Sequence, residues 1–216
     1  MLSCEIDHLV VTAPSLEAGA DFIRQALGVE MQPGGKHGRM GTHNLLLGLG
    51  PSCYLEVIAI DPSAPAPQRP RWFGLDTYGQ SEEPRLSTWV ARTADIRAVA
   101  AASTEPLGDV TTMSRDQLSW QITIPDNGVP PLGGVAPALI AWPPGVHPAS
   151  SLRDQGLRLV DLRLVHPDLP RLKQLLAAIN CAGPLSFAAG SAATPPGLVA
   201  TIATPSGQRV LGVPLP

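Results

Sequence analysis

Over residues 5–12 the hydrophobic positions follow the pattern of a β-strand, and over residues 16–27 they recur at the spacing of an α-helix. Beyond residue 28 the strand pattern returns. Ser15 suits the cap position at the start of the predicted helix, and Gly28 suits the position after its end. The predicted elements are strands over 5–12, 29–32, 42–49 and 53–60, and a helix over 16–27. Residues 1–62 are therefore predicted to form one β-α-β-β-β unit.

The same pattern restarts twice. Aligned on the helix starts, Leu16 matches Ile96 at an offset of 80 and Leu169 at an offset of 153 (96 − 16 and 169 − 16). Self-similarity of one supersecondary unit indicates a repeat architecture. The predicted organisation is a first unit over 1–62, a Pro-rich linker over 63–85, a second unit over 86–148 and a third, divergent unit over 157–216.

Such a pattern predicts an α+β fold, with mixed sheets built from βαβββ units and helices on the outside. A third unit without a partner would leave strand edges or an apolar face open, which proteins usually cover. We therefore expect either a homodimer formed through the third unit, or packing of this unit across the back of the first two.

Composition narrows the class of protein. The net charge is −3 and the Lys and Arg residues form no cluster, which argues against nucleic acid as the main partner. The longest apolar stretch, near 135–142, is far shorter than the roughly 20 residues of a membrane span. Cys4, Cys53 and Cys181 are too few and too widely spaced for a disulfide framework, so reduced thiols and a cytoplasmic location are expected.

Two ionisable residues stand in apolar strands. Glu56 is the only charge in the run 53–60, and His8 lies in the apolar run 5–12. A carboxylate that faces a core needs a cation, an arginine or a raised pKa. One His and one Glu on paired strands are the usual beginning of a metal site with oxygen and nitrogen ligands. Structural roles, as a hydrogen-bonded histidine and as half of an ion pair, remain open for both.

His43 lies near the third strand. If Leu49 pairs with Tyr54, His43 faces Ile60, too far from Glu56 to share a metal. His43 would then bind a group of the substrate, whereas a shift of one residue in the turn would move it to the other face. A structural His43–Asn44 pair that orders the loop is an equally open interpretation.

Three segments resemble the glyoxalase-like domain family of the vicinal-oxygen-chelate superfamily. They are residues 7–11 (DHLVV), 41–48 (GTHNLLLG) and 54–62 (YLEVIAIDP), with thinner similarity through residues 89–95, 114–120 and 137–148. The resemblance implies paired βαβββ units that form an open cup, with metal ligands on the first and fourth strands. His8 and Glu56 occupy these two places in the first unit, but the second unit offers Thr88 and an apolar strand instead.

Two functions follow from the resemblance. In the first, His8 and Glu56 hold one divalent metal that polarises a carbonyl of a small polar metabolite, as in a metal-assisted lyase, isomerase or dioxygenase-type enzyme. Glu56 could also act as a general base without a metal. In the second, the cup binds a small molecule without catalysis, through Trp89, Trp120 or Trp142 and polar groups. The residues expected to bind the ligand are Arg39, His43, Asn44, Arg115, Trp120 and Trp142. A hydrolase is disfavoured, because the chain has no nucleophile-elbow motif.

Overall fold

Strands dominate the computed structural model, which describes residues 2–79, 82–115, 118–191 and 195–212. The strands are β1 (Cys4–Thr12), β2 (Gln32–His37), β3 (Thr42–Gly48), β4 (Tyr54–Ile60), β5 (Arg85–Arg92), β6 (Asp109–Arg115), β7 (Leu118–Ile124), β8 (Ala138–Ala141), β9 (Arg158–His166), β10 (Cys181–Ala182), β11 (Leu185–Ala189), β12 (Gly197–Thr204) and β13 (Gly207–Gly212). The α-helices are α1 (Leu16–Leu27), α2 (Ile96–Ala102) and α3 (Leu169–Ala178), and 3-10 turns lie at Trp72–Thr77, Leu132–Gly134 and Pro148–Ser151.

The large sheet contains two βαβββ units with the same topology. Its strand order is β2-β3-β4-β1-β5-β8-β7-β6, and β10 adds to β1. In each unit the first strand pairs in parallel with the last, as β1 with β4 and β5 with β8. The two units meet where β1 pairs with β5 in antiparallel orientation. The predicted cup-shaped α+β fold is confirmed.

The helix starts lie where the sequence predicts them, and each is capped by a side chain. The Ala18 N–H donates to Ser15 Oγ at 3.1 Å, and the Ala98 and Arg171 N–H groups donate to Asp95 and Asp168 at 3.1 Å and 3.0 Å. These bonds satisfy backbone donors that lack a partner in the first turn.

The third segment keeps the predicted order of elements along the chain but pairs its strands differently. Its first strand, β9, is parallel to β11 and antiparallel to β12, in a separate sheet with the order β11-β9-β12-β13. Residues 213–216 of the predicted third unit, and with them the end of its last predicted strand, lie outside the described residues.

This second sheet packs on the side of the large sheet that carries the helices. Leu162 and Leu198 belong to the same buried cluster as Leu9, Val11 and Ile23. The short strand β10 also pairs with the start of β1. Of the two predicted arrangements, the structure therefore has the third segment packed across the back of the first two units, and a homodimer stays a prediction.

The Pro-rich linker does more than connect the two units. Its Trp72, Phe73 and Leu75 are buried on the concave face, against Val10 and Ile58 of the first unit. Apolar residues inside the linker thus bury themselves in the cup and help to form its wall.

Cys4, Cys53 and Cys181 are free thiols, and burial raises the pKa of Cys53 to about 12. No helix in the described part of the chain is both long enough and apolar enough to span a bilayer.

Candidate active site

A cavity of about 410 Å³, including its open mouth, lies on the concave face of the large sheet. Both units and the linker contribute to it. Its lining residues are His8, His37, Asn44, Leu46, Tyr54, Glu56, Trp72, Phe73, Arg115, Trp120, Ile122, Ile140, Trp142 and Pro148. His8 and Glu56, the two residues singled out in the sequence, therefore face one cavity.

The strand register explains why these two side chains meet. In the parallel pair β1–β4, His8 lies opposite Tyr54 and Val10 opposite Glu56, so His8 and Glu56 are diagonal neighbours on one face. His8 Nε2 lies 3.6 Å from Glu56 Oε2, and both side chains are less than a tenth exposed. At this distance the contact is longer than a hydrogen bond. The imidazole also stacks on the Tyr54 ring, with 4.4 Å between the ring centroids.

Asp7 completes a buried row of ionisable groups. The pairing of β1 with β5 shifts between Ile6 and His8, which makes Asp7 the extra residue of a bulge. A bulge redirects side chains, and Asp7 Oδ1 lies 2.6 Å from His8 Nδ1. The other oxygen, Oδ2, lies 2.9 Å from His147 Nε2 and accepts from Trp142 Nε1 at 3.0 Å. Asp7 therefore joins β1 to the loop that follows β8.

The charges in this row stabilise one another. Burial alone would lower the pKa of His8, but the hydrogen bond with Asp7 and the contact with Glu56 outweigh it and raise the pKa to about 9. Burial acts to raise the pKa of Glu56, yet His8, His37 and Asn44 together hold it below its ordinary value. Asp7 is likewise held well below its usual pKa range, against its burial, by His147 and His8. At neutral pH the row is carboxylate–imidazolium–carboxylate.

Asn44 links Glu56 to the second unit. Its Nδ2 donates to Glu56 Oε1 at 2.5 Å, and its Oδ1 accepts from the Gly35 N–H at 2.8 Å and from Arg115 Nη1 at 3.3 Å. Glycine is required at position 34, because a Cβ there would lie 2.0 Å from Asn44 Oδ1. Arg115, at the end of β6, thus brings a cation to the mouth of a site whose carboxylates come from the first unit.

Aromatic rings form the walls of the cavity. Trp120 and Trp142 lie 5.3 Å apart between centroids, and Trp72 stacks on Phe73 at 5.6 Å. His37 meets Trp72 edge-on at 5.0 Å, and burial lowers the pKa of His37 to about 4, so this imidazole is neutral at neutral pH. An apolar, planar part of a ligand would find close contacts here.

The structure brings four of the six residues expected to bind the ligand to the cavity. Asn44, Arg115, Trp120 and Trp142 line the cavity, but Arg39 and His43 do not. The actual register pairs Gly48 with Tyr54 and His43 with Ala59, one residue away from the assumed pairing. Because side chains alternate, this shift turns Asn44 towards Glu56 and His43 to the other face.

Arg39 and Trp89 are engaged elsewhere. Arg39 is exposed, and its Nη1 donates to the Thr112 carbonyl at 2.6 Å. Trp89 is fully buried on the helix side of the sheet and donates to the Val135 carbonyl at 2.8 Å. Neither residue lines the cavity.

Several lining residues escaped the sequence analysis. They are His37, Tyr54, Trp72 and Phe73. Asp7 and His147, which do not line the cavity but contact its lining residues His8 and Tyr54, were also missed. Regular alternation places Asp7 on the face opposite His8, so only the bulge reveals it. Trp72, Phe73 and His147 lie in segments without periodicity, where a cluster of aromatic residues among prolines was the one available signal.

The donor set does not fit a tightly bound divalent metal. His8 lies between two carboxylates that favour its protonated form, and a metal would have to displace this proton to bind. Glu56 shares its other oxygen with Asn44. Within the described residues, no group of three or more His, Cys, Asp or Glu side chains could hold a metal ion, and two protein ligands are too few for a tight site.

Comparison with known proteins identifies the family. The sequence pattern of the glyoxalase-like domain matches residues 6–179. A search of the curated proteins finds no match. Among solved structures, a hypothetical protein from Staphylococcus aureus is similar at 14% identity, with a TM-score of 0.61 and coverage of 89% of this chain and 88% of that chain.

Two other structures are more distant. A Streptomyces coelicolor methylmalonyl-CoA epimerase aligns at 19% identity and a TM-score of 0.43 over 66% of this chain and 96% of its own. A 4-hydroxymandelate synthase from the same organism aligns at 12% and 0.49 over 99% of this chain and 65% of its own. With the family pattern matched over most of its length, this chain belongs to the glyoxalase-like domain family.

Proposed function

We propose that this protein is an enzyme that binds a small organic acid with a carbonyl group and moves a proton at the carbon next to that carbonyl. The observation that supports this most is the buried Asp7–His8–Glu56 row at the cavity. Burying two carboxylates and an imidazolium is costly for a fold. Strongly perturbed ionisable groups in a cleft are typical of functional sites.

His8 would act on the carbonyl oxygen. Its Nδ1 is held by Asp7, while its Nε2 lies 3.6 Å from Glu56, beyond hydrogen-bond length, and faces the cavity. A carbonyl oxygen that enters there can accept the Nε2–H. As a proton leaves the neighbouring carbon, negative charge develops on this oxygen, and the imidazolium stabilises it.

Glu56 would take the proton. Its contact with His8 is a main cause of its lowered pKa, against a burial that acts in the opposite direction. When the ligand draws the Nε2–H away, burial dominates and the pKa of Glu56 rises, which makes it a better base. Return of the proton to a neighbouring carbon, or to the opposite face of the same carbon, gives an isomerase, and loss of a leaving group gives a lyase.

Arg115 and the aromatic walls would orient the ligand. Arg115 lines the cavity, and its guanidinium can pair with the carboxylate of the ligand. Trp120 and Trp142 would pack on the apolar part. A cytoplasmic location stays a prediction of the sequence.

Exchange of the acidic proton tests this proposal without knowledge of the natural substrate. Pyruvate, 2-oxobutanoate and phenylpyruvate would be incubated with the protein in D2O, and loss of the C3 proton signal would be followed by NMR. We expect faster exchange than in buffer, and its loss in Glu56→Gln. Binding of these acids without any gain in exchange would refute the enzymatic role.

A non-catalytic binding protein is the second candidate. It is favoured by the low pKa of Glu56, which makes a weak base, and by the two pairs of aromatic rings. In that case the same experiment gives line broadening of the acids, or quenching of tryptophan fluorescence, with no exchange in either the parent protein or the variant.

A further inference from the structure

A second, apolar cavity adjoins the first on the concave face. It is a narrow depression whose free space is about 250 Å³ when the open solvent at its mouth is counted, and it shares Trp72 and Phe73 with the first cavity. Its other walls include Leu107, Ile124 and Ala138, and several prolines of the linking loops. We call it the side cavity.

The side cavity continues the first one along β7 and β8. Ile122 and Ile140 are paired and line the first cavity. Ile124 and Ala138 lie two residues further, on the same faces, and line the side cavity. Two residues of strand correspond to roughly 7 Å, so the side cavity begins about that far beyond the hydrophobic end of the polar site.

The two cavities occupy related places in the two units. In the first unit Val10 pairs with Glu56, and 80 residues later Val90 pairs with Ala138. The position that carries the charge in the first unit therefore carries a methyl group in the second. A small residue at this point leaves space that a larger side chain would fill.

The wall between the cavities is costly for the fold. Phe73 has φ 58° and ψ 21°, a left-handed conformation that is rare for a bulky residue. Trp72 buries its Nε1–H, which finds no hydrogen-bond partner among the described residues. Backbone strain and an unsatisfied donor at the same point are features that folds retain where function requires them.

From these observations we infer that Trp72 and Phe73 form a movable partition, and that the side cavity receives an unbranched apolar tail of the ligand. The inference rests on the proposed function, since the polar site holds the acid group and the carbonyl. The ligand class is then a medium-chain 2-oxo acid rather than a short one. A tail that crosses roughly 7 Å beyond the polar site makes the partition move and joins the two cavities.

A series of straight-chain 2-oxo acids, from 2-oxobutanoate to 2-oxodecanoate, tests this inference. Dissociation constants would be measured by calorimetry, and the ratio of the constants for the shortest and longest acids is the readout. Once the tail reaches the side cavity, each buried methylene should improve affinity by about fourfold. We expect Ala138→Leu, which fills the side cavity, to bring the ratio close to one.

Two further variants control the experiment. Ala141→Leu adds the same volume on the other face of β8, against the helix-side core, and should keep the ratio of the parent protein. Phe73→Ala removes one ring of the partition and should raise the ratio. Equal affinity for all chain lengths in the parent and in Phe73→Ala would refute the side cavity as a subsite but leave the proposed function intact. No binding at any length would refute both.

Discussion

The two units of the large sheet share one topology but divide the chemistry between them. The first unit supplies the charged row of the site, with Asp7, His8 and Glu56 on β1 and β4. At the matching positions the second unit has Ser87, Thr88 and Ala138, none of which is ionisable, and it contributes the rings of Trp120 and Trp142. The same backbone frame thus carries an ionic half and an apolar half.

This division follows from the cost of burying charge. A second carboxylate at the place of Ala138 would need its own cation in the same cup, and Arg115, which lines the cavity, lies beside Asn44 of the first unit. Because the first unit carries the charged row, the second unit can provide apolar walls that contact the ligand. The two units thus keep the same strand pairing while their polar side chains differ.

Removing the charge at Glu56 gives the largest expected effect. In Glu56→Gln, proton exchange of bound 2-oxo acids should fall by about 100- to 10,000-fold, the range for loss of a general base. The melting temperature should fall only slightly, because the ionised Glu56 stabilises His8 but the Asp7–His8 pair remains intact in the variant. NMR exchange rates and thermal unfolding measure the two properties.

Glu105→Gln is the matched control for this substitution. Glu105 is also a buried carboxylate, but it pairs with Arg171 at 2.5 Å outside the cavity. Its replacement should lower the melting temperature slightly and leave exchange unchanged. If proton exchange in Glu56→Gln stayed normal, as expected for Glu105→Gln, Glu56 would be a structural residue.

Adding a charge to the apolar half tests the comparison from the other side. Ala138→Glu places a carboxylate in the second unit without a dedicated cation, and we expect it to destabilise the fold by about 3 kcal/mol at pH 8. The loss should shrink at pH 5, since burial raises the pKa of such a carboxyl and the protonated form is tolerated better. Urea unfolding at the two pH values measures this difference.

Ala138→Gln separates size from charge. It adds similar volume without ionisation, so its destabilisation should be smaller and nearly independent of pH between these two values. A pH-independent loss in Ala138→Glu, equal to that in Ala138→Gln, would mean that the second unit can solvate a charge as well as the first.

The two histidines that line the cavity should have pKa values shifted in opposite directions from the ordinary value of histidine. The pKa of His8 is raised to about 9 and that of His37 is lowered to about 4. Chemical shifts of the imidazole nitrogens, assigned with His8→Asn and His37→Asn, measure both values. Coincident titrations near pH 6.5 would show that the carboxylates do not act on His8.

The shifted pKa values of His8 and Glu56 should also make the free energy of unfolding depend on pH. The raised pKa of His8 means that its stabilising contribution is complete below its ordinary value of 6.5 and is lost as the pH rises towards 9. The lowered pKa of Glu56 means that its contribution is present above its ordinary value of 4.5 and is lost at lower pH. Maximum stability from this row is therefore expected near pH 5 to 6.

The sequence predicts the strands and helices that hold the site better than it predicts the side chains that form the site. Periodicity and caps identify the helices and the two units, because these depend on local pattern. His8 and Glu56 stand out as charges in apolar strands. The register of β3 depends on the length of one turn, and an error of one residue there exchanges His43 for Asn44.

Other features of the site depend on contacts between distant segments. Asp7 reaches His8 through a bulge that exists only because β1 pairs with β5. His147 meets Asp7 across 140 positions of sequence. The pairing of β9 with β11 and β12 reflects packing on the back of the large sheet rather than the local pattern. Neither composition nor periodicity contains these contacts.

Removal of metal should have the smallest effect on the protein. A resident ion present at 100 times its dissociation constant would contribute about 2.7 kcal/mol, and its loss would lower the melting temperature by roughly 5–11 °C for a chain of this size. We expect no measurable change after dialysis against EDTA, and elemental analysis of untreated protein should give well below one equivalent of any divalent metal.

The raised pKa of His8 explains this expectation and predicts how the affinity for a metal should depend on pH. A metal must displace a proton from an imidazole whose pKa is about 9. At pH 7 this weakens the apparent affinity by about 100-fold, because the two values differ by about two units. Affinity for added Zn²⁺, measured by calorimetry, should therefore be weak at pH 7 and strengthen by about tenfold per pH unit up to pH 9. Tight binding at pH 7 without this dependence would mean that the ion uses a donor set other than His8 and Glu56, or that the carboxylates around His8 do not hold its proton.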